Sequence, residues 1–140
     1  MENLKNFHSL IEMLFLKFKI KLERRFFSSN IEKNVLKNVS FFGADMFSAA
    51  ILNCLNDLVK RKYFSKLNVI TCDNSKQIGE INKIKKNHVI DYCKENKLEY
   101  HFWEDIRNDY KYENLLVNHD LGVVASFAYL LPSRLINLYK

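Results

Sequence analysis

Val39-Ser40-Phe41-Phe42-Gly43-Ala44-Asp45-Met46-Phe47-Ser48 is the stretch that decides how this chain folds. Its first four residues form a short apolar run stopped by Gly43, the pattern of a strand entering a tight turn. Beyond the turn, Phe47, Ala50, Ile51, Cys54, Leu55, Leu58 and Val59 recur at three- and four-residue steps. That spacing predicts an amphipathic helix, with Asp45 near its start as a cap or dipole partner. Strand, turn and helix in this order are the opening of an α/β unit.

Working outward, Leu67-Asn68-Val69-Ile70-Thr71 reads as a second strand. Residues 72–87 are polar and loop-like, and carry Lys76, Lys83, Lys85 and Lys86 against Glu80. His88 to Lys97 reads as a second helix and Leu98 to Phe102 as a short third strand. Leu121-Gly122-Val123-Val124-Ala125 is nearly continuous in its apolar character, which predicts a strand covered on both faces. Pro132 can open a last helix through Leu135 and Leu138. Strands alternating with helices imply an α/β fold: a Rossmann-like parallel sheet with flanking helices and right-handed crossovers.

Composition agrees with one modest domain. The chain has 140 residues, 48% hydrophobic and 27% charged, a globular rather than a disordered balance. Three Gly and one Pro are too few for collagen-like or many-turned all-β architectures. No apolar run reaches the roughly 18–20 residues of a membrane span, since Lys17 and Lys19 interrupt the best candidate, Ile11 to Ile20. Cys54, Cys72 and Cys93 have neither even count nor paired short spacing, so reduced thiols are expected rather than a disulfide framework or a zinc site. His8, His88 and His101 are isolated, and no metal is expected.

The net charge of +6 is uneven: residues 1–38 carry +4 and the remainder +2. Leu4, Phe7, Ile11, Leu14, Phe18 and Leu22 form a helical stripe, followed by Arg24-Arg25-Phe26-Phe27-Ser28-Ser29. Basic amphipathic leaders of this kind resemble mitochondrial transit peptides. Residues 1–27 are therefore read as a leader cut after Phe27, with a matrix destination. An N-terminal helix packing on the domain, or one lying on a membrane surface, are the alternatives.

In open parallel sheets, ligands bind beyond the carboxyl ends of strands where strand order reverses. The turn Gly43-Ala44-Asp45-Met46 and the loop Ser126 to Leu131 are expected to meet there. With one glycine in place of G-x-G-x-x-G, a dinucleotide is disfavoured, and no Walker A pattern is present. Phe127, Ala128, Tyr129, Leu130 and Leu131 suit a flat heterocycle held by ring contacts and backbone hydrogen bonds.

These residues carry a family resemblance. Phe41 to Ser48 resembles the first strand and turn of methionyl-tRNA formyltransferases, usually written F-F-G-T-x-x-F. Asp120 to Pro132 resembles that family's fourth strand and following loop. The likeness spans about residues 38–140 and is nearest to the mitochondrial form. It implies a formyltransferase domain that moves formyl from 10-formyltetrahydrofolate to the amino group of methionine on initiator tRNA. It further implies folate contacts at Phe42, Gly43, Phe127, Ala128, Tyr129, Leu130 and Leu131, largely through backbone groups. Lys76, Lys83, Lys85 and Lys86 would face the tRNA acceptor arm, where neutralised phosphates release counterions. A full-length protein of this type is expected to be a monomer that needs no membrane.

Two departures qualify the likeness. Ala44 stands where the family has Thr, which removes one hydroxyl. The sequence also ends at Lys140, ahead of the family's Asn-x-His-x-Ser-Leu-Leu-Pro segment and later Asp. As written it is therefore expected to be catalytically inert, with a folate- or tRNA-binding module as the alternative function. A transferase with another acceptor, such as glycinamide ribonucleotide, is a third reading. Asn118-His119-Asp120 has the same residue types but precedes its strand, and is read as connector with surface polar groups.

Overall fold

The computed structural model describes residues 37–73 and 86–139. The leader with its cleavage position, and Lys76, Lys83 and Lys85, lie outside the described residues. Within them run β1 (Lys37–Phe42), α1 (Met46–Lys60), β2 (Phe64–Thr71), α2 (His88–Asn96) and β3 (Tyr100–Phe102). Then come α3 (Trp103–Ile106), a 3-10 turn (Asn108–Tyr110), α4 (Lys111–Leu116), β4 (Leu121–Val124) and α5 (Ser133–Ile136). The four strands form one parallel sheet in the order β3-β2-β1-β4. The chain steps outward from β1 through β2 to β3, then returns to the far side of β1. The order reverses between β1 and β4.

Alternation along β1 divides the core. Phe42 and its β2 neighbour Ile70 join Trp103, Ile106, Tyr112, Leu116 and Leu135 in one buried cluster. Val39, Phe41 and Val69 belong to the opposite face and are also fully buried. A strand buried on both faces is the expectation for the centre of a parallel sheet. α1 packs against β2 and α2, and the Tyr92 hydroxyl joins the two helices by accepting from Asn56 Nδ2 at 3.1 Å and donating to Asn53 Oδ1 at 2.9 Å.

Three details differ from the sequence pattern. The buried side of α1 runs through Ser48, Leu52, Leu55, Asn56 and Leu58, while Phe47 is 41% exposed. Two polar residues thus occupy the inner face because each has a partner there. Among the described residues β4 lies at the edge of the sheet beside β1 and is only half-buried, with Val124 55% exposed, so its apolar run is not covered on both faces. Third, α3, the 3-10 turn and α4 lie between β3 and β4, where the pattern gave no elements.

At the amino ends of β1 and β4, Asn118-His119-Asp120 stitches the strands together. Asn38 Nδ2 donates to the Asn118 carbonyl, and the Asn38 N–H donates to Asp120 Oδ2, both at 2.9 Å. His119 is buried, with Nδ1 2.8 Å from Ser40 Oγ, which corrects the surface-group expectation. Burial holds its pKa below the ordinary 6.5, helped by Lys66 and opposed by Asp120. The unfolded chain therefore takes up a proton near pH 6.5 that the native state resists. Stability from this residue is present above that pH and is lost as pH falls towards the native pKa. His119→Asn keeps a polar atom near the Nδ1 position without the titration. The urea midpoint of the wild type should fall more than that of H119N between about pH 7.5 and about pH 5.5; parallel profiles would contradict this.

Candidate functional site at the carboxyl ends of β1 and β4

Past Phe42, the backbone continues its ladder: Gly43 N–H donates to the Ile70 carbonyl at 3.1 Å, and Ala125 N–H to the Phe42 carbonyl at 2.8 Å. The turn and the β4 loop then come together. A Cβ on Gly43 would stand 2.6 Å from Ser48 Cβ and 2.8 Å from both the Ala125 carbonyl oxygen and Phe41 Cζ. Only glycine fits that gap. Asp45 caps α1, its Oδ1 accepting from the Ser48 N–H at 2.8 Å. The single Ser48 hydroxyl proton lies within reach of two acceptors, Asp45 Oδ1 at 2.7 Å and the Ala125 carbonyl at 2.6 Å. One side chain thus ties the helix start to the end of β4.

Ser126 takes a left-handed conformation, φ 46°, which costs an ordinary residue on the order of 1 kcal/mol and redirects the chain. Phe127, Tyr129 and Leu131 then pack against the Phe42–Trp103 cluster, while Ser126, Ala128 and Leu130 are exposed. Phe127 meets Phe42 edge-on at 5.6 Å and Trp103 at 6.0 Å between ring centroids. Leu130 is 97% exposed.

The expected folate-contacting residues therefore separate into two kinds. Gly43, Phe127, Ala128, Tyr129, Leu130 and Leu131 gather at the switch point between β1 and β4. Phe42 is there too, but its ring is fully buried and supports the loop from below. Of the expected tRNA-facing lysines, Lys86 is described: it is exposed, and its Nζ lies 3.4 Å from Asp91 Oδ2. An exposed pair of this kind contributes little to stability.

A buried polar cluster beside this loop is not legible in the sequence pattern. Glu104, from α3, accepts the Tyr129 hydroxyl on Oε1 at 2.6 Å and the Asp73 N–H on Oε2 at 3.0 Å. Asn87, the cap of α2, donates to Thr71 Oγ1 at 2.8 Å and the Cys72 carbonyl at 2.9 Å. Burial, with the Glu104 charge in support, pushes the Cys72 thiol up to about 11 despite the Ala128 backbone N–H it faces. At neutral pH this thiol is protonated and a poor nucleophile. Tyr129 is pushed up to about 12 by burial and by its bond to Glu104, so its hydroxyl is a donor. Among the described residues no cluster of His, Cys, Asp or Glu is arranged to hold a metal ion, and no helix is long and apolar enough to cross a membrane.

No family model matches the chain, and no curated protein matches it.

The gap at Gly43 generates a direct prediction. Gly43→Ala forces the turn and β4 apart and should destabilise the chain by about 1–3 kcal/mol, the usual range for overpacking a filled site. Denaturant titration measures it, and an unchanged midpoint would show that the turn and the Ala125 carbonyl are not in contact.

Proposed function

We propose that this chain serves folate-dependent formyl transfer to methionyl-initiator tRNA in the mitochondrial matrix, with the carboxyl ends of β1 and β4 receiving the folate. The observation that carries this reading is the convergence of the Gly43 turn and the Ser126–Leu131 loop at the one reversal of strand order in the described sheet. Such reversals leave a crevice between diverging loops.

The site's chemistry supports a flat, partly apolar ligand. Val124 and Leu130 offer exposed apolar surface beside it. With the aromatic residues of the loop turned into the core, a pterin edge would be read chiefly by backbone groups and by Ala128 and Leu130. A backbone N–H and C=O side by side match the donor–acceptor pattern of such a heterocycle. Transfer itself requires the methionine amine to attack the formyl carbon and the bond from that carbon to folate N10 to break. The proton lost by the amine is matched by one gained at N10 of the departing tetrahydrofolate. We assign none of the described residues to that proton transfer. The protonated Cys72 thiol argues against a covalent formyl-enzyme at this position.

Titration calorimetry of the full 140-residue chain with 5-formyltetrahydrofolate, a stable analogue, tests the reading. Saturable one-site binding is expected, weakened roughly tenfold by Leu130→Asp, which adds a charge at an exposed position without disturbing the core. Absence of heat with a folded wild-type chain would overturn it. Saturable binding supports the folate site in this reading and in the alternative, a folate-binding module, alike.

The tRNA side has its own readout. Replacing Lys76, Lys83, Lys85 and Lys86 by Ala should flatten the log–log salt dependence of initiator-tRNA binding by up to about 3–4, at roughly 0.9 per lost phosphate contact. An unchanged slope would remove this loop from the tRNA interface.

A further inference from the structure

Among the described residues two arginines lie over tyrosine rings. Arg134, on α5, sits 4.3 Å from the centroid of Tyr110 and pairs with Glu113 of α4, its Nη2 3.1 Å from Oε2. Its planar group therefore has a ring beneath it and a carboxylate at its edge. Arg107 has the ring without the carboxylate. It ends α3, where its N–H donates to the Trp103 carbonyl at 2.9 Å, and its guanidinium lies 5.6 Å from the centroid of Tyr129. The residue is exposed, and among the described residues no acid is paired with it. Glu104, three residues earlier, already has an oxygen on the Tyr129 hydroxyl and the other on a backbone N–H.

The ring under Arg107 is itself held in place. Tyr129 donates to Glu104 Oε1 at 2.6 Å and meets Phe127 edge-on at 5.9 Å. The Arg107 charge reaches the Tyr129 hydroxyl, where it opposes the upward push of burial and Glu104. A cation over a fixed ring gives up less freedom on binding than one on a free side chain. A guanidinium presented in this way suits a planar carboxylate, which it can take in two parallel hydrogen bonds.

We propose that Arg107 is the carboxylate anchor of the site at the carboxyl ends of the strands, pairing with a glutamyl carboxylate of the folate. This rests on the proposed function, in which the heterocycle meets the Gly43 turn and the loop after β4. It adds a specificity-determining residue to that reading. Backbone groups read the heterocycle, and Arg107 separates the acidic folate from a neutral pterin of the same shape. The ligand carboxylate does for Arg107 what Glu113 does for Arg134. Both partners are ionised at neutral pH, so no proton moves when they meet.

Two probes differing only in charge test the anchor: 5-formyltetrahydrofolate, and its diamide, in which both glutamyl carboxylates are carboxamides. Titration calorimetry of the full wild-type chain should give about tenfold tighter binding of the acid. In R107Q the ratio should fall below about twofold, because the acid weakens while the diamide keeps its wild-type affinity. R107K keeps the charge without the planar fork and should give about threefold. A residue that merely shaped the loop would weaken both probes together and leave the ratio unchanged, so a wild-type ratio in R107Q overturns the anchor. Should R107Q not fold, a wild-type ratio in R107K overturns it instead. Equal binding of the two probes by the wild type removes the anchor and leaves the folate reading standing. Binding of neither probe by the folded wild type removes both.

Discussion

The carbonyl oxygen of Ala125 sits where a side chain on residue 43 would begin, 2.8 Å from an ideal Cβ. Because residue 43 is glycine, β1 and β4 can run side by side to their carboxyl ends before their loops part. Ser48, one helical turn further on, reaches the same carbonyl and the cap residue Asp45. Strand pairing, helix start and loop direction are thus settled within a few ångströms. The positive φ of Ser126 follows from that constraint: the chain leaving Ala125 must turn at once, and it turns its aromatic residues towards Phe42.

Below the loop, edge-on and stacked rings form the floor. Trp103 stacks on Tyr112 at 5.6 Å and meets both Phe42 and Phe127 edge-on. Such contacts contribute about 0.5–1.5 kcal/mol each beyond the area they bury. The result is a loop whose inward residues are anchored and whose outward ones, Ala128 and Leu130, remain free to meet a ligand. Glu104 adds a polar tie from the side. The loop is packed beneath and exposed above, which suits the proposed binding surface.

The strands, the two long helices and the meeting of the Gly43 turn with the β4 loop were legible because each rests on a local pattern: an apolar run, a 3.6-residue period, a glycine stop. Asp45 was readable as a cap for the same reason. The buried face of α1 was not, since Ser48 and Asn56 are polar in sequence and inward only because Ala125 and Tyr92 supply partners distant along the chain. Residues 103–116 hid their helices because no piece there completes two turns, so Trp103, Ile106, Tyr112 and Leu116 show no period. The apolar run of β4 signalled a strand correctly but not its place at the edge of the described sheet, which depends on where the chain returns to it. Glu104 carries no signal of its own in the sequence; nothing nearby announces that both its partners lie on other loops.

In the proposed reading a folate meets the carboxyl ends of β1 and β4. Following the backbone amide resonances of the full chain as 5-formyltetrahydrofolate is added puts that contact to the test. Shifts concentrated at Gly43, Ala44 and residues 125–131, with Asn38, His119 and Asp120 at the opposite end of the sheet unmoved, are the predicted result. Shifts centred on the amino ends of the strands, or none at saturating ligand, would contradict it.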